Sequence, residues 1–344
     1  MANISCEYGC KKQNSPLECT AMEEDQMTTA KSQNPAKPQR LTPMQKKLTY
    51  IKNHYLLYVM LILPISYYLL FHYYPMYGVT IAFKNYSIFK GVFDSPWVGF
   101  ANFEKIFGIV EFKRALWNTI RLNFLNLIVC FPAPIILALL LNEIKSKNFK
   151  KVTQTIIYMP HFLSAVIIGG LVSVLFAQTT GLINNALVSI GIDRIPWLGE
   201  GFWWIIMYLV VNLWQGVGYG AIVYLSAISG IDQEMYEAAR VDGCSRFKMM
   251  YLITLPSIRP TIVIMLILKV GGLMSIGFEL PYMLKNAMVN DVADVLSTFT
   301  YRYGIENAKY SISTAAGLFQ SVINFILVLT ANMISNKISD EGIW

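Results

Sequence analysis

Six runs of about twenty mainly apolar residues limit this chain more than any other feature. In hydrocarbon a backbone must satisfy its own hydrogen bonds, so such runs cross a bilayer core of ~30 Å as helices. The runs are Tyr55 to Tyr74, Thr119 to Leu141, Ile156 to Phe176, Phe202 to Leu225, Thr261 to Leu280 and Thr314 to Ser335. The fifth is interrupted by Lys269. Of the 344 residues 55% are hydrophobic and 14% charged, against roughly a quarter charged in soluble domains. The expected fold class is therefore an all-α integral membrane protein with six transmembrane helices.

The formal charge of +7 follows membrane topology rather than nucleic-acid binding. Six basic residues lie between Lys31 and Lys52. Lys145, Lys147, Lys150 and Lys151 crowd the loop after the second run, and Arg240, Arg246, Lys248 and Arg259 the loop after the fourth. The positive-inside rule places these segments in the cytosol, with both termini inside. Residues 1–50 read as a polar cytosolic tail and 51–112 as the first span with its outer loop. Residues 113–336 read as the core, including a loop at 229–258, and 337–344 as a cytosolic C-terminal tail. Cys6, Cys10 and Cys19 fall in the N-terminal tail, where a reducing cytosol disfavours disulfides.

The loop at 229–258 is polar and punctuated. Asp232 suits an N-cap for a helix from Gln233 of about ten residues, and Gly243 suits the C′ position that ends it. Ser245 can cap a second helix, with Pro256 and Pro260 marking the exit to the fifth span. Met235, Ala238, Ala239 and Asp242 fall near one face, where two alanines allow a protein to approach closely. Tyr236, Glu237 and Arg240 supply anchoring and charge at its edges. A short helix held between two spans can transmit a push from a soluble partner.

Inside the spans, polar residues share helical faces: Asn123, Asn126 and Cys130 in the second, and Gly317, Gln320, Ser321 and Asn324 in the sixth. Such faces turn toward other helices or a water-filled path. Asn212, Trp214, Gln215, Tyr219, Gln320 and Asn324 are candidates for contact with a passing solute, by stacking and by amide hydrogen bonds, or for bundle packing. Lys269 must meet either an acid, in this chain or another, or an acidic solute. Gly216-x3-Gly220 permits close helix packing.

The stretch Glu237-Ala-Ala-Arg-Val-Asp-Gly243, followed by Leu255-Pro256, resembles the EAA motif of binding-protein-dependent ABC importer permeases, with Cys244 where the family usually has Ala. Tyr158-Met-Pro-His-Phe162, Gly277-Phe-Glu279, the segment Asp294 to Gly304 and the terminal Glu341-Gly-Ile-Trp344 are similar to the LplB-type, MalF-like branch of carbohydrate permeases. The resemblance implies a type I ABC importer permease fold in a bacterial cell membrane. It implies that Met235, Tyr236, Glu237, Ala238, Ala239, Arg240, Asp242 and Gly243 form a coupling helix seated in an ATPase cleft. The implied partners are a second permease chain, an ABC ATPase dimer that uses ATP and Mg, an extracytoplasmic sugar-binding protein, an oligosaccharide and membrane lipid.

The sequence has no G-x4-G-K-[ST] phosphate loop, so no cofactor is expected on this chain itself. A membrane enzyme would need convergent acid, base or metal groups. His54, His72 and His161 are dispersed, and there is no H-E-x-x-H pattern. An importer of amino acids would share the same architecture, whereas a stand-alone channel would have no use for the EAA-like loop.

Overall fold

The computed structural model describes Met44 and residues 50–339. Most of the N-terminal tail, with Cys6, Cys10 and Cys19, and the terminal motif from Glu341 lie outside the described residues. The chain divides into a first unit ending at Ser66 and a second from Tyr67 onward. The apolar helix α1 (Tyr55–Tyr68) carries Pro64 in its interior.

From Tyr67 onward the secondary structure is helical, apart from isolated bridges between Lys84 and Trp97 and between Ser87 and Gly91. Helix α2 (Val110–Cys130) runs into α3 (Pro132–Asn142), whose proline sits in the first turn, where its missing N–H costs nothing. Helix α4 (Lys147–Tyr158) continues as a 3-10 turn, Met159–Phe162, followed by α5 (Ala165–Leu175). The longest central helix is α6 (Gly201–Ser229). After it come α7 (Gln233–Val241), α8 (Arg246–Met249), α9 (Arg259–Gly271), α10 (Leu296–Tyr301) and α11 (Tyr310–Ser339).

Among the described residues four helices are long and apolar enough to cross a membrane, and six if each of two bent pairs counts as one span. The six-span organisation stands, but two of the predicted runs are not single helices. Ile156 to Phe176 bends by 100° before α5. Pro160 disrupts the helix there, and Ser164 restarts it by accepting the Ile167 N–H at 3.4 Å. The fifth run, expected to reach Leu280, stops at Gly271. The Gly272 N–H closes α9 on its last carbonyls, and residues 273–278 are not helical. Tandem glycines have the least to lose by leaving a helix.

Helix α3 packs along α6, and α9 along α11. One buried cluster gathers Trp204, Met207 and Val211 of α6 against Ile168 and Val172 of α5, and Trp204 Nε1 donates to the Leu284 carbonyl at 3.0 Å. A second joins Phe112, Phe299, Ala315 and Ala316, and a third Ala138, Tyr224, Ile228 and Ile258. Phe124, Ile128, Ile136 and Leu140 remain exposed along α2 and α3. That i, i+4 row of bare apolar side chains suits lipid or another apolar helix. The tight contact on α6 is at Gly218 rather than Gly216. A methyl on Gly218 would collide with the Ile157 carbonyl, one on Gly220 would press on Pro134 at 3.0 Å, and one on Gly216 would meet nothing within 4 Å.

Candidate functional site

The polar insert folds much as its local chemistry dictates. Asp232 Oδ1 accepts the Glu234 N–H at 3.0 Å, which satisfies one orphan donor at the start of α7. At the other end Gly243 has φ of 74°. Its N–H donates to the Arg240 carbonyl at 3.1 Å, and the Cys244 N–H donates to Ala239 at 2.9 Å. These are the paired bonds of a Schellman ending, which requires a left-handed residue that glycine adopts most easily. Ser245 Oγ then accepts the Lys248 N–H at 3.4 Å and starts α8.

The predicted contact face needs correction. Ala239 is buried inside this chain, and Tyr236 turns inward, its hydroxyl 2.9 Å from Thr254 Oγ1. The face turned outward carries Met235, Glu237, Ala238, Arg240 and Asp242. Two apolar residues that sequence reasoning passed over are also strongly exposed, Val241 at 88% and Phe247 at 78%. Exposed apolar side chains at a polar helix end were the available signal. Beside this face, Asn142, Glu143, Lys145, Tyr236, Arg240 and Arg246 line a cleft of about 700 Å³, with Arg246 and Glu143 paired at 4.0 Å.

A second hollow, of about 330 Å³, lies among the spans. Asn123 and Asn126 of α2, Tyr208 and Asn212 of α6, Lys269 of α9 and Ser275 line it. The break after α9 supplies one wall, and amides from two other helices hold it. Asn123 Nδ2 donates to the Leu273 carbonyl at 2.7 Å, Asn324 accepts the Met274 N–H at 3.0 Å, and Asn324 and Gln320 donate to Ser275 Oγ at 2.7 and 3.1 Å. Non-helical backbone within a span is tolerated where it is so satisfied or lines a wet cavity.

The structure thus sorts the predicted sugar-contact group. Asn212 and Lys269 line the hollow, and Gln320 and Asn324 brace its wall. Trp214, Gln215 and Tyr219 are not lining residues, and Tyr219 stacks on His161 with ring centroids 3.9 Å apart. The reason is helical geometry. The lining stripe of α6 climbs by fours through Tyr208, Asn212, Gly216, Gly220 and Tyr224. At about 100° per residue, Gln215 and Tyr219 point roughly a quarter turn away from it and Trp214 to the opposite side.

Between α9 and α11 a buried polar hub joins the outer segment to α2. Asp294 is fully buried and takes Arg302 in two hydrogen bonds, of 2.9 and 2.7 Å. Thr298 donates to the same carboxylate at 2.8 Å, and Asn118 Nδ2 donates to the Asp291 and Asp294 carbonyls at 2.7 and 2.9 Å. The hydrogen bonds that Arg302 donates to Asp294 push its guanidinium above the ordinary pKa, so it stays charged. The i, i+4, i+8 spacing of Asp294, Thr298 and Arg302 was the sign of a shared face. Arg121, inside the predicted second span, was also missed: its Nε and Nη2 are buried with no acceptor among the described residues.

Fold and site together define a class: a multi-pass helical membrane protein with a rigid, capped helix projecting between two spans and a polar hollow among them. The chain belongs to the family of binding-protein-dependent transport system inner membrane components, whose model matches residues 130–340. It is therefore a membrane transport subunit and not an enzyme. It is 44% identical over 288 residues to Protein LplB of Bacillus subtilis (strain 168), covering 84% of this chain and 91% of that one. It is 41% identical over 322 residues to the polygalacturonan/rhamnogalacturonan transport system permease protein YteP of the same organism, covering 92% and 100%. A solved bacterial ABC transporter involved in the import of the acidic polysaccharide alginate matches with a TM-score of 0.79 at 42% identity, over 86% of this chain and 99% of that one.

Proposed function

We propose that this chain is one permease subunit of an ATP-driven importer of oligosaccharides. The single observation that carries the reading is α7, an exposed helix fixed at both ends and tied at Tyr236 to the segment that enters α9. The names of similar proteins support the substrate class: YteP is named for polygalacturonan and rhamnogalacturonan, and the solved relative for alginate. A bacterial alginate ABC transporter solved in complex with an alginate pentasaccharide-bound periplasmic protein also matches, at 42% identity, which supports an extracytoplasmic binding protein as partner.

In this reading a second permease completes the pathway and a pair of ATPase subunits binds ATP and Mg. The outer face of α7, from Met235 to Asp242, with Val241 and Phe247, docks into the ATPase. The basic loops and both termini lie in the cytosol. ATP closure of the ATPases displaces α7, and the spans alternate between outward and inward access. ATP drives this only by favouring one state of the spans over the other, since equal affinity for both shifts nothing.

The test is co-purification of the ATPase with this chain and uptake in the reconstituted complex. Glu237→Lys should weaken ATPase capture and uptake together. Retention of both would remove the docking role from α7.

A further inference from the structure

The hollow among the spans is lined by neutral hydrogen-bonding groups and one cation. Lys269 shares it with the amides of Asn123, Asn126 and Asn212 and the hydroxyls of Tyr208 and Ser275. No aspartate or glutamate lines it, and among the described residues no carboxylate lies within ion-pair distance of the Lys269 ammonium. The acids nearby in sequence are otherwise placed. Glu279 is exposed beyond the break and outside the lining, and Asp294 is taken by Arg302.

The position of Lys269 on its helix offsets the charge only in part. It stands in the last turn of α9, where the helix end carries about half a negative charge. Roughly half a unit of positive charge is left facing a polar space inside a membrane span, where an uncompensated cation is costly. The break at Gly271 is what ends α9 two residues beyond Lys269.

We infer that Lys269 receives a carboxylate of the passing saccharide and makes this half of the pathway selective for anionic oligosaccharides. The inference rests on the importer reading above and adds to it the charge class of the substrate and the residue that reads it. Transport requires such a site to be weak, and one ammonium among neutral amides holds an anion without trapping it.

The test uses the complete complex in liposomes: both permeases, the ATPases and saturating loaded binding protein. The probes are a galacturonate trisaccharide and the same trisaccharide with its carboxylates reduced to alcohols. Lys269→Gln should lower the ratio of uronate to neutral uptake by about tenfold or more, the scale of one charge-assisted hydrogen bond. Lys269→Arg should keep the ratio near that of the unaltered protein. Equal loss of both uptakes in an intact complex, or loss of the second permease on purification, would assign Lys269 to the bundle and overturn the inference. Import of only the neutral trisaccharide by the unaltered complex would also overturn it while leaving the importer reading in place. Import of neither would bring down the oligosaccharide reading first, and this inference with it.

Discussion

Tyr236 and Thr254 stand hydroxyl to hydroxyl at 2.9 Å, across eighteen residues of the polar insert. One lies on the inner face of α7 and the other in the turn of π-helix that leads through Pro256 to α9. The bond ties α7 to the base of the fifth span, whose far end frames the hollow with Lys269.

Tyr236→Phe removes that bond and little else, a loss of about 0.5–1.5 kcal/mol. The complex should still assemble and hydrolyse ATP. Saccharide moved per ATP hydrolysed should fall severalfold in proteoliposomes. Unchanged coupling would show that this bond is not what links α7 to the fifth span.

Gly243 holds φ of 74° with no neighbour crowding its Cα. Its requirement is conformational rather than steric, so Asn should be the mildest replacement and a β-branched residue the worst. Gly243→Val should cost about 1–2 kcal/mol locally, loosen the end of α7 and reduce ATPase co-purification, whereas Gly243→Asn should retain most of it.

Asp294 is fully buried, and Arg302 is its counter-ion. Asp294→Asn leaves a half-buried guanidinium without its charge partner and should destabilise the protein by about 1.5–3 kcal/mol. The check is thermal unfolding in detergent, where a large drop is expected. Arg302→Lys keeps the charge but loses the two-pronged geometry and should fall between the two.

Gly218 and Gly216 lie two residues apart on α6 with opposite surroundings. Gly218→Ala should impair folding or insertion, because the added methyl meets the Ile157 carbonyl of the neighbouring segment. Gly216→Ala should be accepted, since it faces the hollow. Yield of monodisperse protein after detergent extraction distinguishes them.

The insert was legible in the sequence almost to the residue because its determinants are local. Asp232, Gly243 and Ser245 act on backbone groups within five positions, so their roles follow from spacing alone. Its orientation was not legible. Ala239 and Tyr236 read as surface residues, but the fold buries Ala239 and brings Thr254 against Tyr236. The apolar runs gave the number of spans for a similar reason: length and hydropathy alone decide whether a segment can cross a bilayer.

The sequence by itself determined a six-span helical membrane subunit with a capped polar helix between the fourth and fifth spans. Only the tertiary structure decided where the third and fifth spans break, since average hydropathy does not register a bend. Only it separated Asn212 and Lys269, which line the hollow, from Trp214, Gln215 and Tyr219, which do not. A stripe that climbs by fours drifts around its helix, and which side it meets is set by neighbouring helices distant in sequence. The same holds for Asn123, Gln320 and Asn324. They are polar at helical spacing in the sequence, and the packed bundle spends them on the broken backbone of the fifth span.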